Sequence, residues 1–165
     1  MFIRDIFNSK KPVLSFEVFP PKQESKVEEV EKAVKEMSNL PIDYMSVTYG
    51  AGGSNSKNTA RIASYMKDNL SVTSLAHLTC VANTKEDIEN ILNEYKSLGI
   101  ENILALRGDK PRDYDGELFP GYSHASELAE AIKKHGCFCV GGACYPECHP
   151  DSPNIDVDIE NLKNK

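Results

Sequence analysis

The sequence has no surplus of basic residues, no long apolar run and no even-numbered cysteine framework. Lys and Arg total 19 against 25 Asp and Glu, a formal charge of −6. A nucleic-acid footprint needs the opposite balance, so that class of partner is not expected. No segment approaches the ~18 consecutive apolar residues of a membrane span. The apolar part of "MFIRDIFNSKKP" is too short for a secretory signal, and a cytoplasmic protein is expected. Five cysteines, at 80, 137, 139, 144 and 148, are odd in number and crowded towards one end. That is poor material for disulfides, and reduced thiols are expected. Neither a low-complexity linker nor a sequence repeat is present. What remains is 165 residues of ordinary apolar content, which fits one domain over 1–165.

Apolar runs recur along the chain. They are "PVLSFEVF" (12–19), "YMSVTY" (44–49), "SVTSLAHL" (71–78), "NILALR" (102–107) and "CFCVGGACY" (137–145). Each is continuous rather than alternating, as expected of parallel strands covered on both faces. Helical patterns lie between them. Ser25 and Glu28 suggest a capping box opening a helix with Val27, Val30, Val34 and Met37 on one stripe. Residues 56–68 carry Ala60, Ala63 and Met66. Thr84 suits the N-cap of a helix bearing Ile88, Ile91, Leu92, Tyr95 and Leu98, with Gly99 at C′. Ala125, Leu128, Ala129 and Ile132 mark a further helix, stopped near Gly136. Another starts near Asp156, with Ile159 and Leu162 expected inward, and the sequence ends within it.

This βα alternation predicts an α/β fold. Two architectures fit: a five-stranded doubly wound sheet, or a TIM-type (β/α)₈ barrel truncated to about five βα units, since a complete barrel needs about 250 residues. A doubly wound sheet gathers its site at one switch point, whereas a barrel collects it from many strand ends. Here every strand ends in candidate chemistry. Glu17 lies late in the first, Thr48 and Tyr49 end the second, and His77 and Thr79 the third. Arg107 and Asp109 end the fourth, and Tyr145, Glu147 and His149 follow the fifth. That distribution favours the barrel.

Glu17 sits among Phe16, Val18 and Phe19, before Pro20 and Pro21. A carboxylate so surrounded is expected to be desolvated and suited to general-acid work; alternatively it points out of the sheet and pairs with a cation. "GAGGSNS" (50–56) opens a helix and would let backbone N–H groups approach an anion, but it is neither a Walker loop nor G-x-G-x-x-G. His77 fits a ligand contact or a satisfied core histidine. The four late cysteines and His149 do not have zinc-ribbon spacing, so no metal is expected. In "NILALRGDKP" (102–111) a buried strand ends in a cation and an anion separated by glycine. Turn chemistry accounts for the glycine and proline but not for the charges.

Taken together, "SFEVFPPK", "SVTYGAGG", "AHLTC", "ILALRGD", "YPECHP" and "DIENLKNK" resemble the methylenetetrahydrofolate reductase family, in that family's order and over nearly the whole chain. The resemblance implies a flavin-dependent (β/α)₈ barrel. Hydride would pass from NADH or NADPH to FAD, then to 5,10-methylenetetrahydrofolate, giving 5-methyltetrahydrofolate. Glu17 would be the general acid that opens the folate's imidazolidine ring. Asp109 would lie between flavin and pterin, with Arg107 and Gly108 holding the flavin beside it. Glu17, Thr48 and Asp109 would meet the folate, and Thr48 and Tyr49 the flavin and nicotinamide region. Ala51, His77, Ala125, Tyr145 and His149 would line FAD. Asp158, Asn161 and Lys165 would reach its ribose and phosphates.

Two positions depart from the family pattern. His124 stands where relatives often have tyrosine, and Asn164 where some have arginine. The resemblance also implies a homo-oligomer and leaves room for a redox partner protein. Strands six to eight are absent from the sequence, so the 165 residues alone are expected to be inactive and to self-associate. The alternative reading is a non-catalytic nucleotide-binding module built on a doubly wound five-stranded sheet.

Overall fold

The computed structural model describes residues 1–9, 12–21, 23–50, 56–110 and 114–165. The elements are α1 (Ile3–Ser9), β1 (Ser15–Val18), α2 (Val27–Met37), β2 (Tyr44–Val47), α3 (Ser56–Leu70), β3 (Thr73–Thr79), α4 (Lys85–Ser97), β4 (Asn102–Leu106), α5 (Ala125–His135), β5 (Cys139–Gly142) and α6 (Ile155–Asn164). The five strands form one parallel sheet in the order β1-β2-β3-β4-β5. The strand order never reverses. This excludes the doubly wound alternative, which needs a reversal to create its switch point.

With the strand order strictly sequential, crossovers of one hand place every connecting helix on the same side of the sheet. The core lies there. Val18, Met45, Val47, Ala76, Leu78, Ile103 and Ala105 share that face by register. They pack against Val27 and Val34 of α2, Ile62 and Met66 of α3, Ile88, Leu92 and Tyr95 of α4, and Leu128 and Ile132 of α5. The opposite face carries Glu17, Ser46, Leu75, His77 and Leu104. Glu17 is exposed there, and Leu75 and Leu104 are half-buried. Coverage on both faces, expected from the continuous apolar runs, therefore holds for one face among the described residues.

The expected helix ends are partly met. Thr84 caps α4 as anticipated: its Oγ accepts from Asp87 N at 3.1 Å, and its own N–H donates to Asp87 Oδ2 at 2.9 Å. The Thr84 hydroxyl, which donates to Asp87 Oδ2 at 2.6 Å, and then the Thr84 N–H hold the Asp87 carboxyl below its ordinary range. Gly99 follows the helix at φ +65°, a backbone state that glycine adopts without strain. The Ser25–Glu28 box does not form. A 3₁₀ turn, Glu24–Lys26, precedes α2, so Ser25 sits inside a turn, and the residue at the N-cap, Lys26, makes no side-chain cap bond.

Two features were not anticipated. Helix α1 folds under the sheet at the N-terminal ends of the strands. Asn102 ties it there, accepting from Ile3 N at 2.9 Å and donating to Met1 O and Ser74 O, each at 3.1 Å. The N-terminal amine also pairs with Glu101. At the other end of the chain, Ile159 and Leu162 of α6 are exposed, not inward, as are Ile155 and Val157. Among the described residues nothing packs on that stripe.

Candidate functional site

The loop after β4 explains the composition of "LRGDK". Gly108 has φ +81°, and a Cβ there would stand 2.6 Å from Val81 Cγ1 and 3.0 Å from Thr79 Cβ. Only glycine fits both the conformation and the space. The backbone continues the ladder on one side, Cys80 N and Val81 N donating to Leu106 O and Arg107 O at 3.1 and 3.0 Å. On the other side the chain opens into a cleft of about 770 Å³ at the C-terminal ends of β4 and β5. The Arg107 guanidinium lies 5.8 Å from the centre of the Phe119 ring, and its Nη2 is 2.8 Å from Asp151 Oδ2. Asp109 is exposed on the same lip.

The facing wall comes from the loop after β5 and from α6. Asp158, Asn161 and Lys165 fall at i, i+3 and i+7, so one stripe of the helix turns all three towards the cleft. Asp158 accepts from His149 N and Ser152 Oγ, each at 2.9 Å. The His149 backbone bond, then Ser152, holds its carboxyl below the usual range. Lys165 Nζ donates to Ala143 O at 2.8 Å. Tyr145 meets His149 edge-on, with ring centres 4.8 Å apart. The N-terminus of α5 forms a third side through His124 and Ala125. Ser123 N and His124 N donate to Glu127 Oε2 at 2.7 and 3.0 Å and keep that carboxylate ionised below its ordinary range.

Of the residues singled out in the sequence, Arg107, Gly108, Asp109, Ala125, Tyr145, His149, Asp158, Asn161 and Lys165 all line this cleft. Glu17, Thr48, Tyr49 and His77 do not. Glu17 and His77 share the open face of the sheet. Ser46 Oγ donates to Glu17 Oε2 at 3.1 Å, and His77 Nε2 stands 3.3 Å from the same oxygen. Burial pushes the His77 imidazole down despite the nearby Glu17, so the ring is neutral at pH 7. The expected desolvation of Glu17 is not found: its side chain is 47 % exposed. The apolar neighbours that suggested it do not shield it: Phe16 and Val18 project from the other face of the strand, and Phe19 is itself exposed. Thr48 and Tyr49 are held by Thr59 Oγ, which donates to Thr48 O at 3.0 Å, and by Asn83, which accepts from the Tyr49 hydroxyl at 3.3 Å. Ala51 and most of the glycine-rich segment 50–56 lie outside the described residues.

Ser46, Asp151 and Ser152 were not singled out from the sequence. Ser46 pairs in register with Glu17. Its only signal was a hydroxyl inside an otherwise apolar strand. Asp151 and Ser152 belong to "HPDS", where their proximity to Arg107 and Asp158 is invisible in one dimension. Among the described residues, no group of three or more His, Cys, Asp or Glu side chains could hold a metal ion. Cys80 is buried in the core, and desolvation pushes its thiol up to about 12.

The sequence model of the methylenetetrahydrofolate reductase family matches residues 2–165. A 5,10-methylenetetrahydrofolate reductase of Pectobacterium carotovorum is 34% identical over 152 residues, covering 92% of this chain and 50% of the relative. One from Buchnera aphidicola of Acyrthosiphon pisum is 35% identical, covering 98% of this chain and 56% of its own length. Methylenetetrahydrofolate reductase (NADH) 1 of Arabidopsis thaliana is 37% identical, covering 93% and 27%. The chain thus spans about half the length of these bacterial relatives. With a match over essentially every residue, strand-end motifs included, the chain belongs to the methylenetetrahydrofolate reductase family.

Proposed function

We propose that this chain carries the flavin- and folate-binding part of an enzyme that reduces 5,10-methylenetetrahydrofolate to 5-methyltetrahydrofolate, with FAD as its redox group. The electron donor in this reading is NADH, which the name of the plant relative specifies for that protein, or NADPH. The cleft at the ends of β4 and β5 carries the proposal. Its volume lies within the ~300–1,000 Å³ of cofactor and ligand pockets. Its chemistry suits a dinucleotide: Lys165 and Arg107 for phosphates and ring carbonyls, Asn161 for a ribose, the Tyr145–His149 pair for a flat ring edge, and bare backbone at Gly108. Asp158 would share its carboxylate between a ribose and the loop it already braces.

When bound, the flavin supplies hydride acceptance and donation. The chain's own residues do the rest. Arg107, Gly108 and Asp109 orient the ring system at the lip of β4. Thr48 and Tyr49 flank the nicotinamide and folate region, with Ala51, His77 and Ala125 beside the flavin. Glu17 delivers a proton to the folate; Ser46 and the neutral His77 fix its position. A general acid works best shielded from water, and a substrate stacked over the open face would provide that shield. Glu17 and Asp109 belong to β1 and to the loop after β4, three positions apart in the strand order. The test is direct: denature the protein as purified and chromatograph the supernatant. Released FAD is expected; protein that neither releases flavin nor takes it up on reconstitution would defeat the reading.

We read residues 1–165 as one domain belonging to a (β/α)₈ barrel. Support comes from the sequential strand order, the one-sided helices and, among the described residues, the unpaired outer edges of β1 and β5. The 165-residue polypeptide by itself would then lack turnover and self-associate through those edges. Sedimentation and turnover assays of that polypeptide decide this, and a stable, active monomer would overturn it. A cytoplasmic location, a homo-oligomeric assembly and a redox partner protein belong to the same proposal. Size-exclusion chromatography of the purified protein addresses the assembly.

A further inference from the structure

We infer that Asp151 is a positioning residue, which sets the guanidinium of Arg107 and the imidazole of His149 for the ligand of the cleft. The inference rests on the flavin reading above. It starts from two contacts made by one residue. The Asp151 carboxylate holds Arg107 Nη2 at 2.8 Å, while its backbone N–H donates to His149 Nδ1 at 3.0 Å. The first contact fixes one arm of a planar fork whose carbon stands 5.8 Å from the centre of the Phe119 ring. The guanidinium is thus anchored at one arm, and among the described residues its other N–H groups remain to donate to a ligand. The second contact fixes a tautomer. With Nδ1 accepting, the neutral ring carries its proton on Nε2.

Asp151 is itself held. Ser152 N donates to His149 O at 2.9 Å, closing a turn. Asp158 grips both ends of that turn through His149 N and Ser152 Oγ. One helix therefore braces the turn, and the turn sets two ligand-facing side chains from opposite walls of the cleft. Groups ordered in advance need not be ordered by the ligand, which raises affinity without adding a contact. Stability is a weak alternative explanation. The Asp151 and Arg107 side chains are 61 % and 38 % exposed, and exposed pairs contribute little to folding.

The test uses Asp151→Asn, which keeps the backbone N–H and removes the charge, and Asp151→Glu as the conservative rescue. FAD affinity is read by flavin fluorescence in the protein as purified, and thermal unfolding is read without FAD. Asp151→Asn should weaken FAD binding about fivefold, the equivalent of one exposed, well-oriented pair. Unfolding should hardly move, and Asp151→Glu should recover part of the loss. In an Arg107→Ala background, Asp151→Asn should change affinity by less than about twofold, because its route to the ligand is gone. Unchanged binding in the single variant overturns the inference. So does an equal loss in both backgrounds, or tighter binding, which would mean that the carboxylate masks Arg107. If the parent binds no FAD, the flavin reading fails and takes with it any role of Asp151 towards flavin. The nitrogen NMR signals of Arg107 then judge the pairing separately: non-averaged guanidinium signals that collapse in Asp151→Asn would uphold it, and signals already averaged in the parent would remove it.

Discussion

Ile103 and Leu104 are neighbours on β4 with opposite surroundings. Ile103 is fully buried beneath the helices, whereas Leu104 is half-buried on the bare face of the sheet. The same division of faces runs through β2 and β3. Met45 faces the helices and Ser46 faces Glu17; Ala76 packs into the core and His77 looks across at a carboxylate. The covered face is apolar and closed, and its side chains explain stability. On the open face Glu17, Ser46 and His77 contact one another beside Leu75 and Leu104.

The sharpest way to test that contrast is to remove the carboxyl proposed as the proton donor, on the open face. In the intact enzyme, Glu17→Gln should slow the folate half-reaction by about 10²–10⁴-fold, the usual loss for a general acid, and spare reduction of the flavin by nicotinamide. Stopped-flow measurement of the two half-reactions separates these. Equal slowing of both would make Glu17 a structural residue. Next comes the packing pair. Ile103→Ala should destabilise by about 2–5 kcal/mol and Leu104→Ala by about half that or less, because less area leaves contact. Denaturant midpoints give both values. If the two losses match, the open face is covered in solution.

Gly108→Ala should cost about 1–3 kcal/mol through its backbone conformation alone, with the contact against Val81 adding to it. Its flavin affinity should fall with its stability, and a variant of parental stability would mean that the loop relaxes. The smallest effect concerns pH. His77 has a folded pKa below its ordinary 6.5 because it is buried. Below about 6.5 the unfolded chain takes up a proton that the folded ring resists, so stability should decline as pH falls through that value. His77→Asn should flatten this part of the profile. A profile already flat in the parent would show that the ring is protonated without penalty.

The sequence revealed most of the covered face. Its strands were legible as apolar runs, and Thr84, Gly99 and Gly136 marked helix ends by local chemistry that needs no tertiary context. The cleft residues were legible only as a set, through motifs that a single strand end does not specify. Glu17 was misjudged for a physical reason: Phe16 and Val18 are its neighbours in sequence but lie behind it on the sheet. Helix α6 was misjudged because periodicity identifies an apolar stripe without naming what covers it. Ser25 shows the limit of capping patterns, since a 3₁₀ turn can precede a helix and displace the cap. The Arg107–Asp151 pair joins residues 44 positions apart on two different loops, and no local pattern announces it.

The Asn102 side chain has a consequence for the order of events during synthesis. It joins Met1 and Ile3 to the middle of the chain, across sequence separations of 101 and 99 residues. Helix α1 therefore leaves the ribosome about 100 residues before β4 and gains its Asn102 bonds only when β4 has followed. At about 5–20 residues per second, that is a delay of roughly 5–20 s. During that interval Ile3 and Ile6, both buried in the finished fold, remain in reach of chaperones and proteases. Cleavage near the N-terminus of arrested nascent chains should accordingly fall once residue 102 clears the exit tunnel.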